Sequence, residues 1–234
     1  MAFIRVKHNN MENEFSAFIN YERDEEWKDD NPQNSRIDTD SWVSRYKHEA
    51  KIVSSYIKDN DSKSVLEIGS GPGSLCKFIF DLGHDNLIYH MIDKKYAKVS
   101  HSNRGWPGEM FVQNLNNGVD SSDLLENYDL IICNDVLEHL PNPTKILQDL
   151  YHLNTDKLFI SVPNWRMGHQ FIYRGLFDYD NFLYFMAIHN YEGVSVKGSN
   201  LITPDYPKLD SEDLLPDELV RSWNWYFLFD KVVR

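Results

Sequence analysis

The sequence predicts a doubly wound α/β fold built on a mainly parallel sheet. Three observations predict it. From Ser64 onward, short apolar runs alternate with helical patterns; a glycine-rich turn joins the first run to the helix after it; and an acidic residue, Asp93, ends the second run. Repeated β-then-α units bring parallel strands into one sheet with helices on both faces.

Each element has its own signal. The first forty residues are polar and charged, acid-rich from Tyr21 to Asp30, and Asn31-Pro32 reads as a loop. They predict a mobile or extended arm over 1–40, followed by one domain over 41–234. Asp40 or Ser41 can cap a helix in which Trp42, Val43, Tyr46, Ala50, Val53 and Ile57 recur at helical spacing. Ser64–Ile68 is a strand stopped by glycines, and Leu75–Leu82 a helix. Leu87–Ile92 is a second strand, Tyr96–Ser100 opens a short helix, and Met110–Gln113 and Asp129–Cys133 are the third and fourth strands. Asn142 caps the next helix with Pro143 at its first position, where a missing N–H costs nothing, and Ile146, Leu147, Leu150 and Leu153 form its buried stripe. Lys157–Val162 is the fifth strand. Asp178–His189 reads as a helix, and Gly193–Lys197 and Tyr226–Val233 as the last strands.

Bulk composition narrows the function classes. The 234 residues carry a formal charge of −12, with 41% hydrophobic and 14% aromatic residues. That is a globular composition, and its acidity repels phosphate backbones, so no nucleic-acid partner is expected. Cys76 and Cys133 sit in apolar stretches as small buried hydrophobes and imply no disulfide framework. No run approaches the length needed to span a bilayer, and Met1–Asn10 lacks the apolar core of a signal peptide. A cytoplasmic protein is the expectation.

The most informative stretch is Val65-Leu66-Glu67-Ile68-Gly69-Ser70-Gly71-Pro72-Gly73. In a doubly wound sheet this turn lies at the carboxyl ends of the strands, where ligands bind. Glycine lets the chain turn tightly and lets a ligand approach without a Cβ in the way. A dinucleotide turn reads G-x-G-x-x-G and brings a pyrophosphate to the helix start. Here the third glycine comes one residue early, and Glu67 stands two residues before the first. A carboxylate there repels a pyrophosphate and suits a cation such as S-adenosylmethionine, which carries a sulfonium and an ammonium. Asp93 can accept the ribose hydroxyls. A nicotinamide-dependent dehydrogenase is the alternative that the glycine spacing disfavours.

These residues resemble the first two motifs of class I S-adenosylmethionine-dependent methyltransferases. Asn134-Asp135-Val136-Leu137-Glu138-His139-Leu140-Pro141-Asn142-Pro143 is similar to the segment after the fourth strand in their small-molecule group. The resemblance implies a Rossmann-like, seven-stranded sheet closed by a C-terminal antiparallel hairpin. It implies a cofactor site made by Glu67, Gly69, Ser70, Gly71, Gly73, Asp93, Asn114 and Asn134. Asn114 stands where the family often has Asp against the adenine amino group, and its amide oxygen can accept the same bond. Phe111–Val119 and Ser161–Trp165 are closer to the MetW-like branch and its sugar- and lipid-modifying relatives. The implied activity is methyl transfer to a small molecule, sugar or lipid precursor, at oxygen. The alternative is a non-catalytic, S-adenosylmethionine-binding partner protein of the MetW-like kind.

A hydroxyl acceptor needs a base. His139, just past the fourth strand, is the first candidate, and His169, in the loop after the fifth, is the second. Arg166, Tyr173 and Arg174 share that later loop, and arginines there could hold an acceptor carboxylate or phosphate. Asp135, Glu138 and His139 also resemble the acidic-x-x-Glu-His metal cluster of ubiquinone-pathway O-methyltransferases and small-RNA 2′-O-methyltransferases. Many relatives carry Leu-Glu-His without a metal, and none is assigned from the sequence.

Overall fold

The structure, a computed structural model, describes residues 40–153, 155, 157–163, 176, 179–199 and 224–232. The arm predicted over 1–40 lies outside the described residues apart from Asp40, as do His169, Arg166, Tyr173 and Arg174.

In chain order the elements are α1 (Asp40–Asp59), β1 (Ser64–Ile68), α2 (Ser74–Phe80), β2 (Ile88–Asp93), α3 (Lys95–Arg104), β3 (Glu109–Val112), β4 (Leu130–Asn134), α4 (Pro143–His152), β5 (Lys157–Pro163), α5 (Tyr179–Ile188), β6 (Tyr191–Ser199) and β7 (Asn224–Lys231). The strands form one seven-stranded sheet of order β3-β2-β1-β4-β5-β7-β6. β1 to β5 run parallel, and β7 pairs antiparallel with both β5 and β6. The order reverses between β1 and β4, which makes their carboxyl ends the switch point where doubly wound sheets bind ligands.

Each face of the sheet has its own core. One packs Leu66, Ile131, Ile160 and Phe227 against Ile146, Leu147 and Leu150 of α4 and Phe182 and Met186 of α5. The other packs Val65, Met91 and Ile132 against Ala50 and Val53 of α1, Leu75 and Ile79 of α2 and Ala97 of α3. Ala50, Val53 and Ile57 of the stripe read in α1, and the whole stripe read in α4, are therefore buried. Asn142 caps α4, its Oδ1 accepting the Lys145 N–H at 3.1 Å, with Pro143 next in the chain. Both cysteines are buried and free.

β6 is longer than the sequence indicated, and β7, equal in length to the predicted Tyr226–Val233, starts and ends two residues earlier. β6 extends over Tyr191–Ser199 and β7 starts at Asn224, because β7 is sandwiched between two strands and Asn224 pairs with both Pro163 and Ser199. α2 stops at Phe80, short of Leu82, where Gly83 takes a left-handed φ of 89°. No helix among the described residues is long and apolar enough to cross a membrane.

Candidate functional site

The glycine turn leaves β1 under tight backbone control. The Gly69 N–H donates to the Ile92 carbonyl at 2.8 Å, and the Gly73 N–H closes a turn on the Ser70 carbonyl at 3.1 Å. Gly69, Gly71 and Gly73 all have positive φ, at 69°, 55° and 87°. The three glycines have different neighbours. A Cβ on Gly69 would lie 2.2 Å from Val136 Cγ2, and one on Gly73 would lie 2.9 Å from both His101 Nδ1 and Met91 Sδ. A Cβ on Gly71 would meet nothing within 4 Å. Gly71 thus faces open space, as a ligand-approach position requires.

Asp93, the last residue of β2, ties the turn down. Its Oδ2 accepts the Gly71 N–H at 2.7 Å and its Oδ1 accepts the Lys94 N–H at 2.6 Å. Burial pushes its carboxyl up to about 6, against the two N–H bonds. Glu67 lies one strand over, 3% exposed, with Oε2 accepting the Tyr89 hydroxyl at 2.8 Å. Burial pushes Glu67 up to about 8; the Tyr89 bond opposes this, and Glu49 and Asp93 add to it. A positive charge placed beside these buried carboxyls would favour their ionised form.

The other sequence candidates fall around this pair. Ser70 is buried, and its Oγ donates to the Gly71 carbonyl at 3.2 Å. Asn134 ends β4 with its side chain engaged: Oδ1 accepts the Ser161 N–H at 3.1 Å, and Nδ2 donates to Glu49 at 3.4 Å. Asn114 is exposed at the turn past β3, where its Oδ1 accepts the Asn116 N–H at 3.2 Å. His139 ends a 3-10 turn, Leu137–His139, whose preceding residue, Val136, packs on Gly69. Its side chain is 46% exposed, and its Nε2 lies 3.8 Å from Oε1 of the fully buried Glu138. The structure therefore joins Glu67, Gly69–Gly73, Asp93 and the turn bearing His139 at one rim. Asn114 sits at its β3 end.

Sequence reasoning missed a buried polar layer on the α1 side of this rim. Arg45 and Glu49 of α1 pair through Arg45 Nε and Glu49 Oε1 at 2.7 Å, and Arg45 also pairs with Asp135 Oδ2. The other oxygen of Asp135 accepts Ser161 Oγ and Asn224 Nδ2, each at 2.9 Å. Tyr226 donates its hydroxyl to Glu49 at 3.1 Å. Glu49 carried a usable signal: it falls on the buried spacing of Tyr46, Ala50 and Val53, where a charge has no place unless paired. His101, under Gly73, was also missed. Its Nδ1 lies 3.1 Å from the Pro72 carbonyl, which can only accept, so Nδ1 bears the proton.

The comparisons agree with the fold. A methyltransferase-domain family model matches residues 44–193 of the 234. No curated protein matches the sequence. Among solved structures, the plantazolicin methyltransferase BamL, in complex with a triazolic desmethylPZN analogue and S-adenosylhomocysteine, is similar at a TM-score of 0.66 and 14% identity, over 94% of this chain and 97% of that one. The magnesium protoporphyrin IX methyltransferase ChlM from Synechocystis PCC 6803, with bound S-adenosylmethionine, gives 0.59 and 13%, over 93% and 97%. The methyltransferase domain of bacterial CtHen1-C gives 0.56 and 17%, over 80% and 98%. At these identities the structures speak for the fold, and the family model speaks for the family. The chain belongs to the methyltransferase-domain family and has the class I S-adenosylmethionine-dependent methyltransferase architecture.

Proposed function

We propose that this chain binds S-adenosylmethionine across the glycine turn and transfers its methyl group to an oxygen of a small-molecule, sugar or lipid-precursor acceptor. The observation that carries the reading is the Asp93–Gly71 bond beside open space, with the buried Glu67 carboxyl behind it. The residues fit the cofactor. Gly71 leaves room for it, Glu67 and Asp93 favour its positive charge, and Asp93 has carboxylate oxygens suited to ribose hydroxyls. Gly69, Ser70 and Gly73 shape the turn, Asn114 is the candidate for the adenine edge, and Asn134 braces the β4 end of the site. The cofactor supplies a methyl carbon already activated by its sulfonium, so the protein's share is alignment and proton removal.

At a hydroxyl acceptor the bound cofactor would supply the methyl carbon, its sulfur leaving with the electron pair as a neutral thioether, and a residue of this chain would have to take the hydroxyl proton. His139 is the candidate base, supported by its half-exposed imidazole on the turn against Gly69. His169 is the reserve candidate. The neighbours do not share one acceptor: ChlM is a magnesium protoporphyrin IX methyltransferase, and a CurJ carbon methyltransferase is also similar. The sequence resemblance is what supports an oxygen acceptor of the small-molecule, sugar or lipid-precursor class.

The test is methyl release from labelled S-adenosylmethionine onto a panel of hydroxyl, carboxyl and amine metabolites. Label on a hydroxyl compound is the expected result. Label on an amine or carbon alone would overturn O-methylation. Cofactor binding with no transfer to any acceptor would favour the MetW-like binding partner.

A further inference from the structure

The class to which Asp135, Glu138 and His139 bear a resemblance uses such residues to hold a divalent ion. Here the donor set does not fit one. Among the described residues no group of three His, Cys, Asp or Glu side chains is arranged to hold a metal. Glu138 is fully buried, while His139 is half exposed. Asp135 is spent on other partners: Oδ2 faces the Arg45 guanidinium, and Oδ1 accepts from Ser161 and Asn224.

We propose that the Arg45 guanidinium takes the place of a divalent ion at this rim, as the positioning residue that holds Asp135 and the turn after it without a metal. Arg45 comes from α1, the helix before the sheet, and its side chain is 5% exposed. It lies between two carboxylates, Glu49 and Asp135, on different elements, as a bridging cation would. A planar guanidinium is suited to such paired contacts and is always charged. Burial opposes its charge, but Asp135 and then Glu49 outweigh burial and keep it protonated. Asp135 also has a φ of 51°, a left-handed conformation rare for a residue with a Cβ. Its side-chain contacts hold that backbone bend, and the bend aims Val136 at Gly69 and starts the turn that ends in His139. The guanidinium thus does two jobs of a metal: it neutralises the carboxylates and fixes the loop.

The inference goes beyond the proposed function, and its test does not need the acceptor. The probe is manganese(II) chloride with the full chain, read by the loss of the free-ion electron paramagnetic resonance signal. We expect wild type to take up no ion at the rim up to about 1 mM, the weak end of carboxylate sites for divalent cations. Arg45→Ala uncovers Glu49 and Asp135 and should gain a bound ion, with a manganese-dependent rise in melting temperature that wild type lacks. Arg45→Ala/Asp135→Asn should lose that ion again. If Arg45→Ala does not fold, Arg45→Gln, neutral but able to donate hydrogen bonds, replaces it. Wild-type uptake that Asp135→Asn abolishes would overturn the proposal, and so would a folded Arg45 variant that gains no ion. Wild-type uptake that survives Asp135→Asn, Glu138→Gln and His139→Ala alike lies away from the rim and agrees with it, whereas uptake lost in any of the three would overturn it. Failure of S-adenosylhomocysteine to bind would sink the cofactor reading and leave this result unchanged.

Discussion

Asp93 and Gly71, 22 positions apart in sequence, are joined by a 2.7 Å bond from the Gly71 N–H to the Asp93 carboxylate. One carboxylate therefore holds the glycine turn, and under the proposed function it also accepts the ribose hydroxyls. On that reading Asp93→Ala removes both contacts. We expect S-adenosylhomocysteine affinity to fall by roughly 1–3 kcal/mol, the scale of hydrogen bonds to a charged group. Asp93→Asn keeps one acceptor oxygen and should lose less. Calorimetry with wild-type affinity in Asp93→Ala would remove this residue from the ribose site.

The glycines of the turn should separate by substitution. Gly71→Ala meets no atom within 4 Å, so its folding cost is the left-handed backbone alone, about 1–2 kcal/mol. Ligand affinity should nevertheless drop, because the added methyl enters the open space. Gly69→Ala runs into Val136 as well as the same strain and should unfold at a clearly lower temperature than Gly71→Ala. Equal melting temperatures for the two variants would contradict this packing.

The raised carboxyls give pH dependence with a definite sign. Burial lifts Asp93 to about 6 and Glu67 to about 8, so the folded chain keeps protons that the unfolded chain has released. That stability is fully present below the ordinary carboxylate range and is lost as pH rises through about 6 and then about 8. Glu67→Gln cannot lose its proton, so its melting temperature relative to wild type should climb from pH about 5 to about 9. A flat difference would refute the assignment. A cationic ligand acts in the opposite direction by favouring the ionised carboxylates. Binding near neutral pH should release protons, and the calorimetric enthalpy should change with the buffer's heat of ionisation.

Much of the fold was legible because the strands are short apolar runs ended by strong punctuation: Gly69 after β1, Asp93 at the end of β2, and Asn142-Pro143 before α4. Local signals of this kind survive in a single sequence. The hairpin ends were less legible, since pairing across β5, β7 and β6 determines them and local preference does not. Of the cofactor-side candidates, Glu67 and Gly69–Gly73 came from the glycine spacing, Asp93 from the end of the second strand, and Asn114 and Asn134 from the family resemblance. The Arg45–Glu49–Asp135 layer could not be read, because its members lie up to 90 positions apart and meet only after the sheet forms. Glu49, a charge on an apolar stripe, was the one visible trace of it.

His139 divides acid–base catalysis from scaffolding. If the acceptor is a hydroxyl, His139→Ala should lower turnover by ~10²–10⁴-fold, the usual share of a positioned base, while affinity for S-adenosylhomocysteine stays close to wild type. His139→Gln keeps hydrogen bonding but takes no proton, and should be nearly as slow. Normal turnover in both variants would make His139 a loop residue and move the search to His169.

The central claim, a methyl-donor site on the Glu67–Gly73 turn and Asp93, is tested most directly by titrating the purified chain with S-adenosylmethionine, S-adenosylhomocysteine and NAD in one calorimetric series. We expect the first two to bind at a single site and to raise the melting temperature, as ligands selective for the native state must, with NAD giving no heat. Binding of NAD with no response to either adenosyl compound would contradict the claim.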